Sequence, residues 1–149
     1  MTAWIYDAKE FTSSDLGSNP EVIGFVYVIR SLVTNKCYIG KKNFYSKKTI
    51  QRNLKKKKVR VESDWKNYFG SCAELLDEIK ENGKDKYDRQ IIRLCYTKSE
   101  MNYFELKEQI DKKVLLREDY YNSFVGTKIH KKHMKKYLER FPQEGKIEY

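Results

Sequence analysis

The sequence predicts an α/β (α+β) fold: a small three-stranded, mostly antiparallel sheet flanked by helices, with a basic arm and a basic C-terminal tail. Two β-rich stretches lie close together before residue 40, and two helical patterns after residue 70 enclose a third β-rich stretch. The 149 residues suit one compact domain. We expect residues 1–21 to be a leader that packs on the domain, 22–123 to be the domain, and 124–149 to be the tail.

The first two strands are predicted by Val22–Arg30 and Cys37–Ile39, which are rich in β-branched and aromatic residues and enclose the polar 34–36. This pattern is typical of a β-hairpin. Tyr27 and Tyr38 share a face of such a hairpin if its loop has an even number of residues, and an odd loop separates them unless a bulge intervenes.

A helical turn and a helix are predicted next. Residues 63–71 place three aromatic side chains at helical spacing, so they predict a short turn. Ser71–Glu74 has the form of a capping box, apolar residues follow over 73–81, and Asn82-Gly83 ends the helix.

The third strand is predicted over Tyr87–Cys95 by its central isoleucines. A second capping box at Thr97–Glu100 opens a helix that runs to about Leu116. Its predicted apolar stripe is Tyr103, Leu106, Ile110 and Val114. Residues 120–123 read as an extended exit, and 128–141 as a basic helix that Pro142 ends.

The positive charge is concentrated in one segment. The net charge is +10, and residues 41–61 hold ten basic residues and no acid, which leaves 31 − 10 = 21 Lys and Arg against 21 Asp and Glu elsewhere. The ten are Lys41, Lys42, Lys47, Lys48, Arg52, Lys55, Lys56, Lys57, Lys58 and Arg60. We expect a mobile arm that becomes ordered against a polyanion, with nucleic acid the leading candidate, a solvated segment the alternative, and an anionic membrane disfavoured by the lack of an apolar face.

Other features restrict the class of protein. The sequence has no run of about 20 apolar residues and no signal-peptide layout, so we expect no membrane association and a cytoplasmic location, in a host cell if the gene is phage-encoded. Cys37, Cys72 and Cys95 are widely spaced, which predicts free thiols and argues against a zinc site.

Two short motifs carry a family resemblance. The first is Phe25-Val26-Tyr27, and the second, ten residues later, is Tyr38-Ile39-Gly40 followed by Lys41. Together they resemble the signature of the GIY-YIG endonuclease superfamily, although Phe25 and Val26 depart from its usual Gly and Ile. Gly83-Lys84, a helix holding Glu105, and Asn122 also look like the family layout, over about residues 22–123. The chain is most similar to small phage-encoded members, which include homing endonucleases.

The resemblance implies a DNA endonuclease that hydrolyses phosphodiester bonds with one divalent metal ion, Mg²⁺ or Mn²⁺. It implies Tyr27 as general base, Tyr38 as the group that positions water or phosphate, and Glu105 as metal ligand. A tyrosine with a pKa of about 10 is a poor base at neutral pH, so Lys41 is expected to lower that pKa. Both tyrosines also fit ordinary strand aromatics.

Glu105 also stands out by its own neighbours. It has Met101 and Gln109 one helical turn away and so lacks a local ion pair. A carboxylate beside an apolar stripe needs a cation, and Mg²⁺ suits one carboxylate with waters and phosphate oxygens. An exposed helix glutamate is the alternative.

One family position is altered. The family places an arginine one helical turn before the position of Tyr68, and this chain has Asp64 there. Arg60 or Arg52 is expected to supply the guanidinium, or catalysis is impaired. Asn122 is expected to orient a tyrosine or a water, with local capping as the alternative.

The expected partner is double-stranded DNA, bound by a monomer or a homodimer. The basic arm is expected to contact its backbone, and so are His130 and His133, whose spacing also resembles a metal pair without completing a ligand set. A non-catalytic basic nucleic-acid-binding module and an RNA-binding protein are the alternatives. The target sequence stays open, and so does the biological role, which could be gene mobility, restriction or degradation of host DNA.

Overall fold

The strands and helices that position the site belong to a computed structural model that describes residues 3–126 and 129–147. Within those residues the strands are β1 (Trp4–Tyr6), β2 (Lys9–Glu10), β3 (Gly24–Ser31), β4 (Cys37–Asn43), β5 (Tyr45–Arg52), β6 (Lys55–Glu62), β7 (Tyr87–Cys95), β8 (Phe124–Val125) and β9 (Ile129–His130). The α-helices are α1 (Ser13–Gly17), α2 (Ala73–Asn82), α3 (Lys98–Asp111) and α4 (Lys135–Arg140).

The central sheet has five strands in the described part of the chain, in the order β2-β1-β7-β3-β4, and the prediction of three strands is therefore wrong. The additional strands come from the expected leader, because β1 pairs with β7 in parallel and β2 extends the edge. A strand of three residues is too short to show a period of two. Trp4 fixes β1 to the sheet, since its ring is buried 4.9 Å from Phe25 and 5.2 Å from Tyr27 between ring centroids.

The predicted β3–β4 hairpin is confirmed. The backbone N–H of Ser31 donates to the carbonyl of Lys36 at 2.9 Å, which closes a loop over residues 32–35. This even loop places Tyr38 opposite Ile29, two residues from Tyr27, so both tyrosines lie on one face. A bulge interrupts the pairing with β7 between Val26 and Tyr27.

The basic segment forms two β-strands in the structure, where the sequence led us to expect an arm without secondary structure of its own. Strands β5 and β6 form an antiparallel hairpin that is a sheet of its own. The sequence contains enough β-formers for this, since Ile50, Val59 and Val61 lie on one face of the ribbon and are partly buried.

Helices cover both faces of the central sheet. α2 packs its Leu75 and Ile79 into a core with the β3 aromatics, and α3 packs Met101 into a second core with Val26. The helix at residue 73 is confirmed, but its predicted capping box is not, because the N-cap is Cys72 and makes no side-chain cap bond.

The orientation of α3 differs from the prediction. Its cap is confirmed, as the Thr97 hydroxyl accepts from the Glu100 N–H at 3.0 Å. The predicted core stripe is wrong: Tyr103 and Ile110 are 62% and 56% exposed, whereas Met101 and Gln109 are buried. α3 therefore turns the face that includes Glu105 toward the sheet.

The C-terminal tail contains a strand pair, a 3₁₀ turn and the six-residue α4 where one helix from residue 128 was predicted. Lys128 lies outside the described residues. Pro142 follows α4 and begins another 3₁₀ turn, as its fixed φ favours. No helix in the described residues combines the length and apolar character needed to cross a bilayer.

Candidate active site

A cleft of ≈ 430 Å³ opens beside β4, an edge strand of the central sheet, where side chains from both faces of the sheet can meet. β4 supplies the YIG motif, and α3 approaches from the opposite face to that of Tyr27. The cleft is lined by all six residues predicted to be catalytic: Tyr27, Tyr38, Lys41, Tyr68, Glu105 and Asn122.

Tyr27 lies at the bottom of the cleft and is 1% exposed. Its ring centroid is 6.3 Å from that of Tyr38 and 6.0 Å from that of Tyr68. Burial, together with the neighbouring tyrosines, raises the pKa of Tyr27 well above its ordinary value. Burial therefore sets the direction of this pKa in the free protein, and its lowering by Lys41 stays a prediction.

Tyr38 stands nearer the mouth of the cleft. Its hydroxyl lies 3.4 Å from Oγ of Ser71, a hydrogen bond in which either group can donate. Burial raises the pKa of Tyr38 as well, while the Ser71 contact acts in the opposite direction. Both tyrosines are therefore neutral hydroxyl groups at pH 7, suited to donate and accept hydrogen bonds.

Lys41 is directed at α3. Its ammonium donates to the Asn102 side-chain oxygen and lies 3.7 Å from Oε1 of Glu105. Burial raises the pKa of Glu105, and Lys41 partly offsets that rise. The carboxylate is thus desolvated, and its cation lies beyond ordinary hydrogen-bonding distance.

These contacts allow a metal-binding role for Glu105. No group of three or more His, Cys, Asp and Glu side chains within the described residues is arranged to hold a metal. A single desolvated carboxylate fits Mg²⁺, which retains several waters and is completed by substrate phosphate oxygens. The donor set therefore suits an ion brought together with the substrate and does not suit a closed structural metal site.

Asp64, at the position of the family arginine, forms an ion pair. Its Oδ1 lies 2.6 Å from Nζ of Lys42, and that ammonium stands 4.1 Å from the centroid of the Tyr68 ring. The Lys42 contact lowers the pKa of Asp64. The acid thus holds a cation on the outer side of Tyr68.

A buried arginine, which we did not predict, supports the turn that carries Tyr68. Arg89 on β7 is 3% exposed and donates to the carbonyls of Tyr68 at 2.8 Å and Lys66 at 3.0 Å. Its guanidinium also stacks 4.2 Å from Phe69 and 4.6 Å from Trp4, and burial lowers its pKa to about 10. The alternation of buried and exposed positions along β7 could have indicated its burial, because Arg89 lies between the inward-facing Tyr87 and Ile91.

Asn122 binds the backbone of the YIG motif. Its Oδ1 accepts from the Ile39 N–H at 3.0 Å, and its Nδ2 donates to the Ile39 carbonyl at 2.8 Å. Gln109 on α3 donates to the same carbonyl at 3.1 Å. Asn122 thus satisfies backbone groups at the edge of β4, and Gln109 joins that edge to α3.

The predicted substrate-binding residues of the basic segment occupy two regions. Arg52 and Lys55–Lys58 lie at or near the turn of the β5–β6 hairpin, while Arg60 lies near its base and stacks 3.4 Å from the centroid of Tyr45. Of the two arginines proposed to replace the family guanidinium, only Arg60 lies beside the site. It lines a second cleft of ≈ 760 Å³ with Lys41, Lys42, Lys47 and Lys98.

The two tail histidines contact one another. The His130 N–H donates to Nδ1 of His133 at 3.2 Å, and the ring centroids are 5.5 Å apart. This contact organises the 3₁₀ turn that follows β9.

The paired tyrosines on an antiparallel hairpin, the helix-borne glutamate and the sheet between two helices define a domain of the GIY-YIG class. The family model described as "Putative endonuclease segE, GIY-YIG domain" matches residues 4–125, and the chain belongs to this family. No curated protein and no solved structure matches the chain.

Proposed function

We propose that this protein is a divalent-metal-dependent endonuclease that hydrolyses phosphodiester bonds of double-stranded DNA. The observation that carries the proposal is the surroundings of Glu105. Its desolvated carboxylate, 3.7 Å from the Lys41 ammonium, lines the same cleft as the hydroxyl groups of Tyr27 and Tyr38. A DNA phosphate would bring negative charge into this cleft, where Glu105 would hold a divalent ion that neutralises part of that charge.

Glu105 would hold Mg²⁺ or Mn²⁺ at the cleft. When bound, the ion supplies positive charge that stabilises the phosphoryl oxygens and lowers the pKa of nearby groups. Lys41 and Lys42 neutralise further charge on the phosphate, and Arg60 offers a planar guanidinium in the adjoining cleft.

Tyr27 is proposed as the general base and Tyr38 as the group that orients water or phosphate. In the substrate complex Tyr27 first loses its phenolic proton to solvent. The attacking water then gives a proton to this phenolate while its oxygen forms the new bond to phosphorus, and the bond from phosphorus to the leaving oxygen breaks as that oxygen takes a proton from solvent. Because burial raises the pKa of Tyr27 in the free protein, we expect it to function as a base only in the substrate complex, where the cationic groups of the site are assembled.

Asn122 and Arg89 are proposed as positioning residues. Asn122 fixes the Ile39 backbone between Tyr38 and Gly40, and Arg89 fixes the carbonyl of Tyr68. Neither residue needs to touch substrate for this role.

The test is conversion of supercoiled plasmid to open-circular and linear DNA with Mg²⁺ or Mn²⁺, beside an EDTA control. We expect Glu105→Gln to abolish cleavage while retaining DNA binding, and Tyr27→Phe to lower the rate by about 10²–10⁴-fold, the range for loss of a general base. Glu108→Gln is the matched control on the same helix and should cut like the parent. Equal cleavage by Glu105→Gln and the parent would refute the proposal.

A second candidate is a nucleic-acid-binding module without catalysis. Asp64 in place of an arginine and the raised pKa of Tyr27 both favour it. This candidate would be selected if the protein shifts the plasmid on a gel but leaves it uncut with every metal tested.

A further inference from the structure

The β5–β6 hairpin projects from a rigid base next to the candidate active site. Phe44, immediately before β5, is fully buried, and its ring centroid is 5.1 Å from that of the buried Trp65 that follows β6. The backbone closes this base, because the Ser63 N–H donates to the Phe44 carbonyl at 2.8 Å. The direction of the ribbon is thus fixed by the same core that holds Tyr27.

The ribbon carries more positive charge than a free hairpin tolerates well. Between residues 45 and 62 it has eight basic residues, Lys47, Lys48, Arg52, Lys55, Lys56, Lys57, Lys58 and Arg60, and one acid, Glu62. Its register places Lys47 opposite Arg60 and Arg52 opposite Lys55. Like charges directly opposite destabilise a strand pair, so this register favours a polyanion beside the ribbon.

The turn at the end of the ribbon has an unusual residue. Asn53 and Leu54 have φ of +51° and +64°, the backbone of a two-residue turn that asparagine followed by glycine adopts without strain. Leucine in this left-handed conformation is strained. The Leu54 side chain is also 93% exposed, so packing within the protein does not offset that strain.

We propose that the β5–β6 hairpin lies along the minor groove of duplex DNA and that Leu54 inserts as an apolar wedge between adjacent base pairs. Basic side chains on both faces of the ribbon then contact the two phosphate backbones, and the strained, exposed leucine is buried in the base stack. This proposal rests on the proposed function for the choice of DNA as the partner.

The wedge has a consequence for site choice. A side chain that opens a base step prefers steps that unstack easily, such as TA and CA/TG, without reading the edges of the bases. Eight residues at about 3.4 Å each give a ribbon about 27 Å long, or about eight base pairs along the duplex. We therefore expect a flexible step at about that separation from the cleaved bond.

The wedge can be tested without cleavage. Closed circular plasmid is relaxed by a type IB topoisomerase in EDTA in the presence of the full-length Glu105→Gln protein, and the linking number is read on a gel after the protein is removed. Insertion between base pairs unwinds the helix, so the plasmid should retain a changed linking number in proportion to bound protein.

The decisive comparison is Leu54→Gly in the same Glu105→Gln background. Glycine suits the turn, so the hairpin keeps or gains stability while the wedge is lost. We expect the change in linking number to disappear and DNA affinity to fall by no more than roughly tenfold, because the phosphate contacts remain. Leu32→Ala, at another exposed turn leucine, should behave like its parent.

The outcomes separate this inference from the proposed function. An unchanged linking number with bound parent protein, or a change that Leu54→Gly retains, overturns the wedge. Binding to RNA with no binding to duplex DNA overturns both the wedge and the DNA substrate. Unwinding that depends on Leu54 in a protein that cuts no plasmid supports the wedge and refutes the nuclease.

Discussion

The hydroxyl oxygen of Tyr27 occupies the space that a side chain at Gly40 would need: an ideal Cβ on residue 40 would lie 2.5 Å from it. The two residues are direct partners across β3 and β4. The glycine of the YIG motif is therefore required by the tyrosine of the first motif, and the two motifs form one packing unit.

Replacing this glycine tests that unit. Gly40→Ala should displace the buried Tyr27 ring, lower the cleavage rate by about a hundredfold and destabilise the fold by about 1–3 kcal/mol. Thermal unfolding and initial cleavage rates measure the two effects. Gly17→Ala is the control, because an added Cβ there has no atom within 4 Å, and an unaltered Gly40→Ala enzyme would contradict the packing argument.

Replacing Arg89 tests whether its hydrogen bond to the Tyr68 carbonyl holds Tyr68 in position. Arg89→Lys keeps a positive charge but loses the planar fork that reaches both the Tyr68 and Lys66 carbonyls, so we expect a loss of about 1–3 kcal/mol in unfolding free energy. We also expect a lower kcat well below the melting temperature, with DNA affinity retained. Arg30→Lys, at an exposed ion pair, should change neither quantity measurably. A normal kcat in Arg89→Lys would show that Tyr68 needs no such support.

The raised pKa of Glu105 makes a prediction about stability and pH. Between its ordinary pKa of 4.5 and its raised value in the fold, the folded protein binds more protons than the unfolded chain, so stability falls as pH rises through that range. Glu105→Gln should therefore be more stable than the parent at pH 7, by about 0.5–2 kcal/mol, and equally stable at low pH. Denaturant melts at both pH values measure this difference. A destabilised Glu105→Gln at pH 7 would contradict the raised pKa of this carboxyl.

Asp64 is expected to restrain DNA binding. Asp64→Asn releases Lys42 from its 2.6 Å ion pair and makes it available to phosphate. Affinity for duplex DNA should rise severalfold, and the salt dependence should steepen by about one phosphate contact. Stability should change by less than about 0.5 kcal/mol, because the carboxylate is exposed. Asp111→Asn, which removes an ion pair on α3, is the control, and equal affinities for the two variants would count against this role.

The part of the site that follows local rules could be predicted from the sequence. The Thr97 cap on the helix that carries Glu105 was predicted. The common face of Tyr27 and Tyr38 follows from the even loop, a parity that the sequence left open. The six predicted catalytic residues line one cleft as a result, although their roles remain predictions.

The missed features depend on contacts between distant segments. Trp4 pairs with Arg89, 85 residues later, and a three-residue strand gives no periodic signal for such a pairing. The orientation of α3 was missed for a related reason, because the polar Gln109 is buried by its bond to the β4 backbone while the apolar Tyr103 is left at the surface. An apolar stripe therefore pointed to the wrong face.

The position of β7 between β1 and β3 bears on the order in which the protein takes shape during its synthesis. The β3–β4 hairpin joins neighbouring stretches and can close while the ribosome is still translating the middle of the gene. β1, although made earlier, has no parallel partner until residues 89 and 90 emerge. The carboxylate of Glu105 arrives later still. If Glu105 holds the metal, as proposed above, a nascent chain would therefore pair β3 with β4 before it could cut nucleic acid nearby.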